Sequence, residues 1–205
     1  METTAEATKQ RRRIHPQKFM MWMAMGSMAM AFAGLTSGYM VREAQGNWRY
    51  FKLPVTFSIS TVVILISSVT MVLAVKAFKS RQMPRYKSLI GATLLLGILF
   101  GLLQFGGFYQ LYHQAQEVRI NGQVLLEKQT VQISGNPSES FLFIIAGLHL
   151  VHMLGGVIAL LITYVRSQRR NVKTYNATGI EIAASYWHFV DILWLYLFVF
   201  FLANQ

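Results

Sequence analysis

Five long apolar stretches, separated by short polar or basic segments, take up most of the chain. They run over residues 19–41, 54–78, 89–111, 140–165 and 182–203. Each is long enough to cross about 30 Å of hydrocarbon as an α-helix. A helix satisfies its backbone polar groups within the segment, which lipid demands. The pattern predicts an all-α polytopic membrane protein: a polar, basic N-terminal tail over 1–18 and a five-helix transmembrane domain over 19–205.

Polar and small residues inside the stretches predict where the helices meet. The second stretch opens at Pro54 and carries Ser58, Ser60, Thr61, Ser67, Ser68 and Thr70; hydroxyls at such positions bond back to the backbone or across to a neighbour. The first carries methionines at 20, 21, 23, 25, 28, 30 and 40, with Met21, Met25 and Met28 on one face. Adaptable packing explains them better than a copper relay. Ala31-Phe32-Ala33 has the form of a signal-peptidase site, but the apolar run continues past it, so no cleavage is expected. Gly34 and Gly38 in the first stretch, and Gly91, Gly97 and Gly101 in the third, form faces for close helix approach. The longest connection, 113–138, holds Asn121-Gly122 between Arg119-Ile120 and Gln123-Val124, a hairpin signal. Trp48 and Tyr50 suit a membrane-interface belt.

Composition agrees with this architecture: 54% of the 205 residues are hydrophobic and 13% charged, about half the charged share of a soluble protein. A net charge of +11 would point to nucleic acid in a soluble chain. Its placement says otherwise. Fourteen of the nineteen basic residues fall in the N-terminal tail (Lys9, Arg11, Arg12, Arg13, Lys18), the second connection (Lys76, Lys79, Arg81, Arg85, Lys87) and the fourth (Arg166, Arg169, Arg170, Lys173). This alternation predicts a cytoplasmic N-terminus and an outward C-terminus, with membrane lipid rather than nucleic acid as the partner of the charge. The absence of cysteine excludes disulfides, thioether-attached haem, iron–sulfur clusters and thiolate copper centres on this chain.

Candidate chemistry gathers in the last two stretches. The fourth reads Gly147-Leu148-His149-Leu150-Val151-His152-Met153-Leu154-Gly155-Gly156, and the fifth Tyr186-Trp187-His188-Phe189-Val190-Asp191-Ile192-Leu193-Trp194. Ionisable groups at membrane depth are expensive and are kept for a partner or a role. Helical spacing puts Trp187, Asp191 and Trp194 on one stripe with His188 beside it. His149 and His152, three apart, share a face and could together hold a metal. One of them with His188 could ligate a haem from opposite sides. The plainer expectation is structural: Asp191 pairs with His188 or with a histidine of the fourth helix and fixes packing. Gln104 in the third stretch likewise wants a partner at depth.

These residues resemble subunit III of the haem–copper respiratory oxidases. His149-x-x-His152-x-x-Gly155-Gly156, followed by Tyr186-Trp187-His188-Phe189-Val190-Asp191-x-x-Trp194, carries the resemblance. Gly91-Ala92-Thr93 with Gln104, and Ser60-Thr61 with Ser67-Ser68, support it in the right order, and it extends from about Lys18 to the end. It implies the five-helix form of the family: a subunit with no cofactor of its own, bound to oxidase subunits I and II, holding phospholipid, in a bacterial inner (cytoplasmic) membrane. Subunit I would carry extra helices where this form lacks two. The complex would oxidise cytochrome c, or alternatively quinol, and reduce oxygen to water while pumping protons. Two departures stand out. Met28 and Gly107 occupy positions where the family usually has glutamates.

Overall fold

The computed structural model describes residues 16–45, 53–113, 117–120, 123–126, 137–168 and 177–204. Five helices carry the fold: α1 (Pro16–Glu43), α2 (Val55–Lys79), α3 (Met83–His113), α4 (Pro137–Gln168) and α5 (Ala177–Ala203). All five are long and apolar enough to cross a membrane. They overrun the apolar stretches at ends where polar residues such as Arg85 and Arg166 are exposed. Between α3 and α4 a two-stranded antiparallel hairpin forms from β1 (Glu117–Ile120) and β2 (Gln123–Leu126), with Ile120 opposite Gln123, as the Asn121-Gly122 signal predicts. Residues 1–15, Trp48, Tyr50, Arg169, Arg170 and Lys173 lie outside the described residues.

Helix order follows from connection length. Only Ser80, Arg81 and Gln82 join α2 to α3, so the two pack antiparallel along their length. Arg81 has φ 56°, and Gln82 N–H bonds the Ala77 carbonyl while Arg81 N–H bonds that of Phe78. This left-handed cap closes α2 tightly enough to reverse the chain.

Helix α5 is the central stave. Its backbone runs close to α1, α2 and α4; α3 packs on α2 and α4 and meets α5 through the rings of Trp187 and Trp194. The main core lies where α2, α3, α4 and α5 meet, around Ile64, Met71, Ile90, Phe100, Met153, Leu160, Trp187 and Trp194. Helix α1 contacts only α4 and α5. Its buried residues, Phe32, Thr36 and Tyr39, all lie in its C-terminal half, where Phe32 and Tyr39 join a second cluster with Leu142, Ile145 and Leu197. Its other half stands away from α2, leaving a cleft floored by α5.

Candidate functional site

The buried stripe of α5 faces α2, and hydroxyls on α2 receive it. Trp187 Nε1 donates to Ser67 Oγ at 3.2 Å, and Trp194 Nε1 donates to Thr61 Oγ1 at 3.0 Å. Ser68 Oγ lies 2.7 Å from His188 Nδ1. An indole N–H at membrane depth has no water to turn to, so a matching hydroxyl sets both rotation and depth of the helix. The hydroxyl pairs Ser60-Thr61 and Ser67-Ser68 recur two turns apart on α2, as the tryptophans do on α5. That match in spacing lets both indoles bond once the two helices stand in this register.

The same tryptophans fix α3 and α4 by contact. A Cβ at Gly97 would lie 2.7 Å from Trp187 Cη2, and one at Gly156 would lie 3.0 Å from Trp187 Cε3. Both glycines are therefore where α3 and α4 close on the indole. His149 is buried, with its ring centroid 5.3 Å from that of Trp194 and 6.4 Å from that of Phe32. His152 Nδ1 donates to the Leu148 carbonyl at 2.7 Å, and the His152 carbonyl accepts from Tyr186 Oη at 2.9 Å. Gln104 Nε2 donates to Ser60 Oγ at 2.8 Å, which ties α3 to the same hydroxyl row.

Asp191 stands beside His188 as the spacing suggests, but beyond hydrogen-bond distance. It is 2% exposed, its nearest ionisable contact is His188 Nδ1 at 3.9 Å, and neither carboxylate oxygen has a hydrogen-bond partner among the described residues. Ser68, one turn across on α2, holds the histidine nitrogen instead. Both nitrogens of His149 and the Oε1 of Gln104 are also unpartnered.

The two histidine motifs do not converge on one haem. Helices α4 and α5 run antiparallel, with Gly156 against Trp187 and His149 against Trp194. His188 is thus displaced from the level of His149 by six residues of α5, roughly 9 Å along the axis, and from that of His152 by three, and its Nδ1 is engaged with Ser68 of α2. Among the described residues no three His, Asp or Glu side chains gather into a metal-ligating group.

The two departures from the family pattern have physical settings. A Cβ at Gly107 would meet the Phe57 ring at 3.0–3.2 Å, so α2 and α3 close over the space a glutamate would need. Met28 is half-buried on α1, together with Met21 and Met25.

One ionic cluster escaped the sequence reading. Glu181 Oε2 accepts from Lys18 Nζ at 2.5 Å, and its Oε1 lies 2.8 Å from Lys79 Nζ. Glu181 is recognisable in the sequence as a charge near a helix end; that it joins α1 to α2 depends on three helix registers at once. This cluster lies at the mouth of the cleft between α1 and α2, a cavity of about 450 Å³ that His188 also lines.

The family described as cytochrome c oxidase subunit III matches residues 48–203 of this chain. The subunit 3 of cytochrome c oxidase from Bacillus sp. (strain PS3) is 26% identical over 182 residues, covering 86% of this chain and 80% of that protein. The probable cytochrome c oxidase subunit 3 of Nocardia farcinica is 29% identical over 179 residues, covering 85% and 81%. The subunit 3 from Corynebacterium diphtheriae is 28% identical over 178 residues, covering 83% and 79%. With its five apolar helices and its interlocked His149–Gly156 and Tyr186–Trp194 segments, the chain belongs to the cytochrome c oxidase subunit III family of haem–copper oxidase subunits.

Proposed function

We propose that the chain is the non-catalytic third subunit of a proton-pumping terminal oxidase in a bacterial inner membrane, where it braces the catalytic subunit and holds phospholipid. The observation that carries this reading is the use of its motif side chains. Trp187, His188, Trp194 and Tyr186 are each engaged with a neighbouring helix, which makes the motif a packing device. Catalysis then belongs to subunit I, with subunit II delivering electrons. Cytochrome c is the favoured donor over quinol because the relatives carry that name. The haem-binding alternative through His149 or His152 with His188 is not favoured, given the relatives' names and the engagement of His188 with Ser68 of α2.

Two surfaces support the finer parts of the reading. On α1, Met20, Met23, Met30 and Met40 are exposed, and that face is suited to helices of a subunit I that carries extra spans. The cleft between α1 and α2 combines apolar walls with lysines at its mouth, which suits a phospholipid. That mouth holds Lys18 and Lys79, so the basic segments share one end of the bundle. By the distribution of basic residues this is the cytoplasmic end, near proton entry.

The test is purification from the native membrane through a tag on this chain. Subunits I and II, haem absorbance and cytochrome c oxidation should co-purify. A chain that emerges alone with a Soret band would overturn the reading in favour of a cytochrome. A reporter fused after Gln205 should be active only on the outer side of the membrane.

A further inference from the structure

Five buried polar side-chain atoms have no hydrogen-bond partner among the described residues: Gln104 Oε1, both ring nitrogens of His149 and both carboxylate oxygens of Asp191. They come from α3, α4 and α5 but share one layer of the bundle. Helices α3 and α4 run antiparallel, with Gly101 against Met153 and Gly97 against Val157. Continuing that register sets Gln104 at the level of His149. The His149 ring lies against Trp194, with centroids 5.3 Å apart. Asp191 precedes Trp194 by three residues on the inward stripe, roughly 4.5 Å along the axis. Gln104, His149 and Asp191 are each 2% exposed, at a depth where bulk water does not reach.

The layer is short of hydrogen-bond donors. Gln104 Oε1 only accepts, because the amide nitrogen is the group that donates to Ser60. A neutral imidazole has one donor and one acceptor, and an ionised carboxylate only accepts. The five atoms are thus four acceptors and one donor. Adding a proton to either group still leaves three acceptors for two donors. The bordering hydroxyls do not make up the difference. Those of Ser60 and Thr61 donate to the Phe57 carbonyl and that of Ser67 to the Thr93 carbonyl, while Ser68 is engaged with His188. The indole N–H groups of Trp187 and Trp194 are committed to α2. Water supplies two donors from one small molecule, and a folded interior keeps it where several polar groups face it. We propose that this layer is a hydration site: one water joins Gln104 Oε1 to His149, and a second bonds the Asp191 carboxylate. The bound water gives α3, α4 and α5 a polar link at a level where their other contacts are rings and glycines.

The experiment is radiolytic footprinting of the protein purified from its native membrane with its bound partners. A brief X-ray exposure turns bound water into hydroxyl radicals, which oxidise the side chains beside it, and mass spectrometry locates the products against an unirradiated sample. Met153 and Trp194 border the layer and are 1% and 3% exposed, so radicals from bulk water do not reach them. The expected result is oxidation of both, with none at Met71, which is 0% exposed and lies on α2 beyond Ser67 and Ser68. The variant Gln104→Leu/His149→Phe/Asp191→Leu makes the layer apolar and should lose both labels. A wild-type protein with neither Met153 nor Trp194 oxidised would overturn the inference. So would labels that persist unchanged in the triple variant, since the water would then belong to other groups. If the triple variant does not assemble, a high-resolution cryo-EM map of the wild type decides. Density bridging Gln104 Oε1 and His149 supports the site, and a direct bond between the two side chains refutes it.

Discussion

Helices α1 and α5 lie side by side and parallel, yet they are held in opposite ways. Helix α5 is gripped along its length by hydroxyls, glycines and rings of three neighbours, and 39% of its apolar window is buried. Helix α1 has 11% of its window buried. It is attached at two places: the Lys18–Glu181 contact near its start, and the Phe32, Thr36 and Tyr39 turns, where Thr36 Oγ1 lies 2.7 Å from Tyr196 Oη. The difference shows how a membrane bundle gains definition. Apolar side chains meet lipid and protein on nearly equal terms, so hydrophobicity does not by itself hold helices together in a bilayer. Close contact and directed hydrogen bonds do, and α5 has both. The attachment of α1 is sparse, and its methionines present a surface that lipid or a partner helix can cover.

The sharpest way to break this comparison is to add one methyl group to each helix system. Gly97→Ala puts a carbon 2.7 Å from the buried Trp187 ring, which cannot turn aside. We predict a cost of about 1–3 kcal/mol, read as loss of this subunit from the purified complex on mild heating. Gly34→Ala on α1 meets nothing within 4 Å and should leave retention unchanged. Equal damage from Gly34→Ala would show that a partner helix covers α1 at close range.

The second test removes hydroxyls. Thr61→Val strands the Trp194 N–H at depth and should cost about 1–3 kcal/mol, the penalty of a buried unsatisfied donor. Thr36→Val on α1 should do less, because the partner it leaves, Tyr196, is 45% exposed and not enclosed as Trp194 is. Thermal retention of the subunit in paired variants ranks the two, and the reverse order would contradict the picture.

A smaller effect is expected at Asp191. With no hydrogen bond to either oxygen, Asp191→Leu removes a buried polar group without stranding one, and His188 keeps Ser68. Stability should stay within about 1 kcal/mol of wild type, as for buried ions replaced by apolar groups. Subunit loss would restore the His188–Asp191 pair as a charged contact that matters. The least effect belongs to Lys18→Gln. Its partly exposed ion pair should contribute no more than about 1 kcal/mol, so the subunit should remain bound, and detachment would show that α1 has no other secure hold.

How much of this was legible in the sequence can be judged residue by residue. Apolar length gave five helices, because lipid permits no other use of five such stretches. The spacing of Trp187, Asp191 and Trp194 gave the inward stripe of α5, because 3.6-residue periodicity is local. The hairpin at Asn121-Gly122 was legible because its two strands are joined by two residues. The hydroxyls of α2 were legible as helix contacts, but not as partners of particular tryptophans. That requires the axial register of two helices more than a hundred residues apart. The same register keeps His188 off the level of His149, and makes Ser68 rather than Asp191 the hydrogen-bond partner of His188. Gly107 read as a missing carboxylate, and only the Phe57 ring against it gives the absence a steric reason. The ion cluster of Lys18, Lys79 and Glu181 was the least legible, since three helices contribute one residue each. The sequence by itself thus determined what is periodic or charge-coded: spans, faces and the basic segments. The tertiary structure alone decided which faces meet and at what depth, because in lipid that choice rests on hydrogen-bond geometry and ring-to-glycine contact, and neither has a one-dimensional signature.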